Sequence, residues 1–134
     1  MKLLTRETDY SVRVLCHMAA KGNKQWTAAE LYLDLRIPRP FLRRILQMMN
    51  KGGLLESRKG RSGGFRLASA PRTIKLADVV RLFQGELRLN ECLFKKRICP
   101  DRKHCPLRSK IQSIEDYAVK QFEGTTIQSL LQGN

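Results

Sequence analysis

The chain has 134 residues, room for one domain with a modest core and an appended helix. Its 26 Lys and Arg against 12 Asp and Glu give a formal charge of +14, which points to a polyanionic partner, nucleic acid ahead of an acidic membrane. With two histidines and no P-loop, dinucleotide fingerprint or nucleophile elbow, the composition argues against an enzyme. No apolar run approaches the ~18 residues of a spanning helix, and the opening MKLLTRETDY lacks the apolar core of a secretory signal. The expectation is a soluble cytoplasmic protein with no membrane partner.

In chain order, the spacing of Tyr10, Val14, Leu15 and Met18 predicts a first helix over 8–20, ended by Gly22 and Asn23. A second helix opens at Trp26-Thr27-Ala28-Ala29-Glu30-Leu31, where Thr27 and Glu30 have the spacing of a capping box and Trp26 and Leu31 that of a hydrophobic staple. After the turn at Arg36-Ile37-Pro38, Pro40 suits the first position of a third helix running to about Lys51, stopped by Gly52 or Gly53. Phe41, Leu42, Ile45, Leu46 and Met49 form its apolar face. Two extended segments, 54–58 and 64–68, flank a tip of glycines and cations, Lys59-Gly60-Arg61-Ser62-Gly63. Helix, turn, helix and basic hairpin make the order of a winged helix-turn-helix: a mainly α fold with a small β-hairpin.

Charge follows the same segment. From Arg36 to Arg66 there are nine basic residues and one acidic, Glu56, so this stretch holds +8 of the +14. The third helix would enter the major groove of double-stranded DNA, giving candidate contacts at Arg39, Phe41, Arg43, Arg44 and Gln47, with Arg58, Lys59, Arg61 and Ser62 from the hairpin. Arginine can read guanine and glutamine can read adenine, but both also anchor phosphates, and the sequence leaves the two roles open. A solvated basic face with no partner is the plainer alternative.

Past Pro71, Leu76, Val79, Val80 and Phe83 predict a short helix ended at Gly85. Cys92, Cys99 and Cys105 then fall within fourteen residues of a basic loop. In a reducing compartment, clustered thiols of this kind are more often metal ligands or redox sensors than disulfides. Cys16, alone on the first helix, reads as a packing residue. After Pro106 a long helix carries Leu107, Ile111, Ile114, Ala118 and Phe122 on one side, with Tyr117 and Val119 beside them. Such a stripe can cover its own core or meet the same helix of a second chain. The second is favoured, because winged helix proteins usually bind pseudo-palindromic DNA as two-fold dimers. Gly124-Thr125-Thr126 breaks the helix, and one of the threonines can cap a last turn through Leu130 and Leu131. The expected division is a DNA-binding domain over 1–71, then a linker helix, a cysteine loop (90–106) and a dimerisation helix over 72–134.

Taken together, LTRETDYSVR, the capped second helix, IPRPFLRRIL, RKGRSGGFRLA, LADVVRLFQG and the Cys92-x6-Cys99-x5-Cys105 run resemble the bacterial iron-sulfur transcription regulators, the family of IscR and NsrR. The resemblance spans almost the whole chain, and the wing motif and the cysteine spacing are its most specific parts. It implies a homodimer with crossing C-terminal helices, one iron-sulfur cluster per subunit, an operator held by wings and recognition helices, and transcriptional control, usually repression. Thiolates are the soft ligands such clusters need. A four-iron cluster on three thiolates carries about −1 in its common state, which Lys95, Lys96, Arg97, Arg102 and Lys103 would offset.

For the fourth ligand the chain departs from the regulators of cluster biogenesis, which place a histidine three positions after the last cysteine, where Arg108 stands here. The nitric-oxide-sensing relatives use an aspartate from the first helix of the other subunit, and the matching residue is Asp9. The resemblance therefore implies Cys92, Cys99, Cys105 and Asp9 as the metal set, with Glu7 and His104 as weaker candidates for the fourth position. A 4Fe-4S cluster is favoured, with 2Fe-2S as the other form, and nitric oxide or oxygen as the signal. The recognition helix departs as well, since IscR has an acidic residue where Arg43 stands, so operator preference does not transfer. Two other uses of the thiols keep DNA binding: a cluster-free thiol-disulfide switch and a zinc-stabilised module. The second fits poorly, because structural zinc sites pair ligands as C-x2-4-C and the gaps here are six and five.

Overall fold

The computed structural model describes residues 2–22, 24–61, 63–89 and 105–133. Helix α1 (Arg6–Ala20) begins two residues ahead of its expected start because the Thr5 hydroxyl caps it, accepting from the Thr8 N–H at 3.3 Å. Thr8 and Ser11 are buried beside Val14, Leu15 and Met18. Both hydroxyls are satisfied: Thr8 donates to Gln84 Oε1 at 2.8 Å and Ser11 to the Glu7 carbonyl at 2.7 Å.

Helix α2 (Ala28–Leu35) has the predicted capping box, with Thr27 Oγ1 accepting from the Glu30 N–H at 3.1 Å and Glu30 Oε2 from the Thr27 N–H at 3.2 Å. Trp26 and Leu31 are both in the core. Arg36 closes α2 in the left-handed region at φ 57°, and the turn leads to α3 (Arg39–Lys51). Helix α3 starts one residue before Pro40, which still lies in the first turn, where the missing N–H costs nothing. It buries Leu42, Ile45, Leu46 and Met49.

Strands β1 (Leu55–Arg58) and β2 (Gly64–Leu67) pair antiparallel in the register Leu55↔Leu67 to Arg58↔Gly64, each one residue shorter than its pattern suggested. The hairpin is fastened to the body by Trp26 and Phe65, which exchange two N–H···O bonds of 2.7 Å. Gly64 makes this approach feasible: its φ is 145°, and a Cβ there would lie 2.5 Å from the Trp26 carbonyl oxygen.

A 3₁₀ turn, Pro71–Thr73, which the sequence did not announce, precedes α4 (Leu76–Gln84). In α4 the buried residues are Ala77, Val79 and Val80, while Leu76 and Phe83 of the expected stripe are only half-buried. Helix α5 (Pro106–Gly124) follows, and then α6 (Ile127–Leu131), capped by Thr126. The chain before α4 and the chain after α5 are stitched by a Lys75↔Thr126 bridge, with Leu76 N–H to Thr125 O at 2.8 Å and Ile127 N–H to Ile74 O at 2.9 Å. Ile74, Val79 and Ile127 thereby join the core cluster of Val14, Leu15, Leu31, Leu42 and Ile45. Helix α1 lies against α3, α4 and α6. The architecture is a winged helix-turn-helix, mainly α with a two-stranded hairpin, and no described helix is long and apolar enough to cross a membrane.

Candidate nucleic-acid interface

The buried stripe of α3 leaves Arg39, Arg43, Arg44 and Gln47 exposed on its other side. They do not all stand alone. The Arg39 guanidinium lies 4.5 Å from the centroid of the Tyr32 ring, a cation–π contact that holds the N-terminus of α3 against α2. Arg44 Nη2 is 3.2 Å from Glu7 Oε1 of α1. Arg43 and Gln47 make no ion pair or side-chain hydrogen bond among the described residues. Phe41, expected among the DNA contacts, is half-buried with its ring edge-on to Tyr10 at 6.1 Å, because the first turn of α3 packs on α1 there.

In the hairpin, Arg58, Lys59 and Arg61 are exposed, and Ser62 lies outside the described residues. Arg66 is paired across the strands with Glu56 at 2.9 Å, so among the described residues the wing's unpaired cations sit toward its tip. Gly63 allows the tip to turn, since a Cβ there would collide with the Arg58 carbonyl.

Of the proposed thiol ligands, Cys92 and Cys99 lie outside the described residues, as does His104. Cys105 is half-buried at the N-cap of α5. The loop enters beside the middle of the same helix, where the Leu89 N–H donates to Glu115 Oε1 at 2.7 Å. Asp9 is about half exposed and forms an i,i+4 pair with Arg13 at 3.2 Å. Glu7 has its carboxylate on Arg44, which separates it from Asp9 in role. The donor types suit an iron-sulfur cluster: Cys105 offers a soft sulfur ligand at the N-cap of α5, and Asp9 a carboxylate that water can reach. Cys16 is different, since burial pushes its thiol up and it packs against the core.

Tyr32, Glu7 and Gln84 were missed as supports for the interface. Gln84 accepts from the Thr5 N–H and the Thr8 hydroxyl and donates to the Leu3 carbonyl, joining the start of α1 to the end of α4. Gln84 lies 76 and 79 residues from its Thr8 and Thr5 partners, beyond the reach of any local pattern.

Comparison with known proteins gives a consistent result. The family model Rrf2, described as "Iron-dependent Transcriptional regulator", matches residues 4–133. The chain is 33% identical over 129 residues to protein aau3 of Rhizobium meliloti (strain 1021), covering 96% of this chain and 84% of that one. It is 32% identical over 127 residues to the HTH-type transcriptional regulator NsrR of Shouchella clausii (strain KSM-K16), covering 87% and 85%. The fold superposes on CymR, the global cysteine regulator of B. subtilis, with a TM-score of 0.82 at 19% identity, over 100% of this chain and 99% of that one. With an exposed recognition helix, a cationic wing and a family match over nearly its full length, the chain belongs to the Rrf2 family and is a winged helix-turn-helix transcriptional regulator, not an enzyme.

Proposed function

We propose that the protein is a homodimeric, operator-binding repressor whose hold on DNA follows an iron-sulfur cluster, one per subunit, carried by Cys92, Cys99 and Cys105 with Asp9 of the other copy as the fourth ligand. One observation carries this reading: among the described residues α5, which follows directly on Cys105, has none of its nineteen residues buried. Leu107 and Tyr117 are each 66% exposed and Ile114 is 44% exposed. Leu107, Ile111, Ile114 and Ala118 follow one another by four, three and four, the spacing by which one helix packs along another. A second α5 is the natural cover. Such a contact would set Cys105, at the N-cap of α5, beside the dimer seam.

When bound, the cluster supplies an iron whose oxygen ligand is the weakest bond in its shell and so the point of entry for nitric oxide or oxygen. The chain's own residues tie this to DNA. Asp9 stands two positions from Glu7 on the first turns of α1, and Glu7 holds Arg44 of the recognition helix. A change in what Asp9 binds is therefore carried by the helix that places Arg44.

The test is protein purified without oxygen, examined by absorption, iron and sulfide analysis and sedimentation. The expected result is a brown protein with about four irons and four sulfides per chain, sedimenting at twice the 15.4 kDa chain mass. Two irons and two sulfides would replace the four-iron form with the two-iron one. A colourless protein that cannot be reconstituted would overturn the cluster and leave the thiol-disulfide switch.

A further inference from the structure

The recognition helix presents three exposed arginines, and the structure treats them unequally. At about 100° per residue, the positions directly opposite the buried stripe of Leu42, Ile45, Leu46 and Met49 are Pro40, Arg44, Gln47 and Lys51. Arg43 falls to the flank, near the half-buried Asn50. Arg39 is occupied by the Tyr32 ring. Arg44 thus stands at the centre of the face that meets DNA, and it is the one that α1 holds.

We propose that the Glu7–Arg44 pair is a specificity-determining element: Glu7 is a positioning residue that presets the Arg44 guanidinium for a guanine edge, with Gln47 as its neighbour on the same face. The exposures support a buttress from beneath. The Glu7 side chain is recessed at 23% exposure, whereas Arg44 projects at 63%. The close contact runs from Nη2 to one carboxylate oxygen, which leaves other donors of the planar fork pointing outward. Glu7 is itself rigidly placed. It is the second residue of α1, behind the Thr5 cap, and that cap is joined to α4 through Gln84. A preset fork loses less side-chain freedom on reaching a base edge, and a bidentate contact to guanine discriminates by direct readout.

Electrostatics points the same way. A carboxylate beside a DNA-facing arginine weakens attraction to every phosphate backbone and lowers affinity for all sequences alike. Its presence there fits a surface built for discrimination. An arginine serving only as a phosphate clamp gains nothing from a carboxylate on its guanidinium.

The proposal rests on the DNA-binding reading, and the experiment separates the two. Duplexes are selected from a random pool with the native full-length protein. Single-base variants of the selected site are then titrated with native protein, Glu7→Gln, Arg44→Lys and Arg44→Ala at several salt concentrations, after thermal melting shows each variant folded. Arg44→Ala and Arg44→Lys are expected to lose about tenfold of discrimination at one G·C pair per half-site, although lysine keeps the charge. Glu7→Gln is expected to lose part of the same discrimination while binding mismatched duplexes at least as tightly as native protein does. If Arg44→Ala instead weakens every duplex by one factor and lowers the salt slope by about one, Arg44 is a phosphate anchor and the proposal is wrong. An unchanged specificity ratio in Glu7→Gln would remove Glu7 from the account. A native protein that selects no sequence defeats the DNA-binding reading itself.

Discussion

Helices α3 and α5 look alike on paper. Both open on a proline in the first turn, and both carry apolar residues at helical spacing. Yet α3 buries four side chains in thirteen residues and α5 buries none in nineteen. Periodicity in a sequence reports that a helix has an apolar face; it does not say whose surface that face meets. For α3 the cover is local, supplied by α1 and β1. For α5 the described chain supplies α4 near one end and little along the rest.

Truncations on the two stripes offer the sharpest way to break this contrast. Ile45→Ala, at a fully buried site in α3, is expected to lower unfolding stability by about 2–5 kcal/mol, from lost transfer energy and the cavity left behind. Ile114→Ala removes the same atoms from a 44% exposed site and is expected to cost well under half as much in dilute protein. Its loss should grow as the protein is concentrated into the range where native chains associate. Urea unfolding at several protein concentrations reads both, and equal, concentration-independent losses would mean that α5 packs within its own chain.

A smaller effect is expected at the wing. Gly64→Ala places a side chain at φ 145° against the Trp26 carbonyl. The strain, together with any loosening of the Trp26–Phe65 bridge, should lower stability by about 1–3 kcal/mol. It should also weaken DNA binding more than Thr27→Ala does. Thr27→Ala removes one cap of α2 and is expected to cost about 1 kcal/mol without moving the wing. Binding isotherms on both variants at matched folded fraction check the order. Equal binding by Gly64→Ala and Thr27→Ala would show that the wing tip needs no such anchor.

These same residues mark what could be read in advance. The Thr27 and Glu30 box, the Gly85 stop and the hairpin were legible because each rests on neighbours within a few positions. The start of α1 was missed by two residues, since a threonine five places ahead of the first periodic apolar residue gives little sign that it caps. The Trp26–Phe65 and Lys75–Thr126 bridges were invisible, because backbone pairing between distant segments leaves no side-chain pattern. At the candidate interface the cations were legible as composition and spacing. Their division into held and free was not, because Glu7 meets Arg44 only after α1 packs on α3. Phe41 shows the same limit from the other side: its place beside four candidate contacts gave no sign that its ring would meet Tyr10.

The smallest expected effect lies where α5 leaves the body. Glu123, in the last turn of α5, bonds to Arg81 and lies 3.5 Å from Lys75, both on the α4 side. The Arg81 hydrogen bond, aided by charge attraction from Arg81 and Lys75, holds its carboxyl below the ordinary glutamate value of 4.5. A carboxylate depressed on folding contributes stability that is fully present above its unfolded pKa and is lost as pH falls through the folded one. Because the pair is open to solvent, salt should shrink the contribution. Melting curves of native protein and Glu123→Gln should therefore differ slightly at neutral pH in low salt and converge as pH drops below 4.5. A gap that persists in acid or in high salt would mean that Glu123 anchors the helix by packing. The clamp holding α5 to α4 would then be apolar, made through Phe122 and Val119, and the helix would be bound to its own chain more firmly than its exposed face suggests.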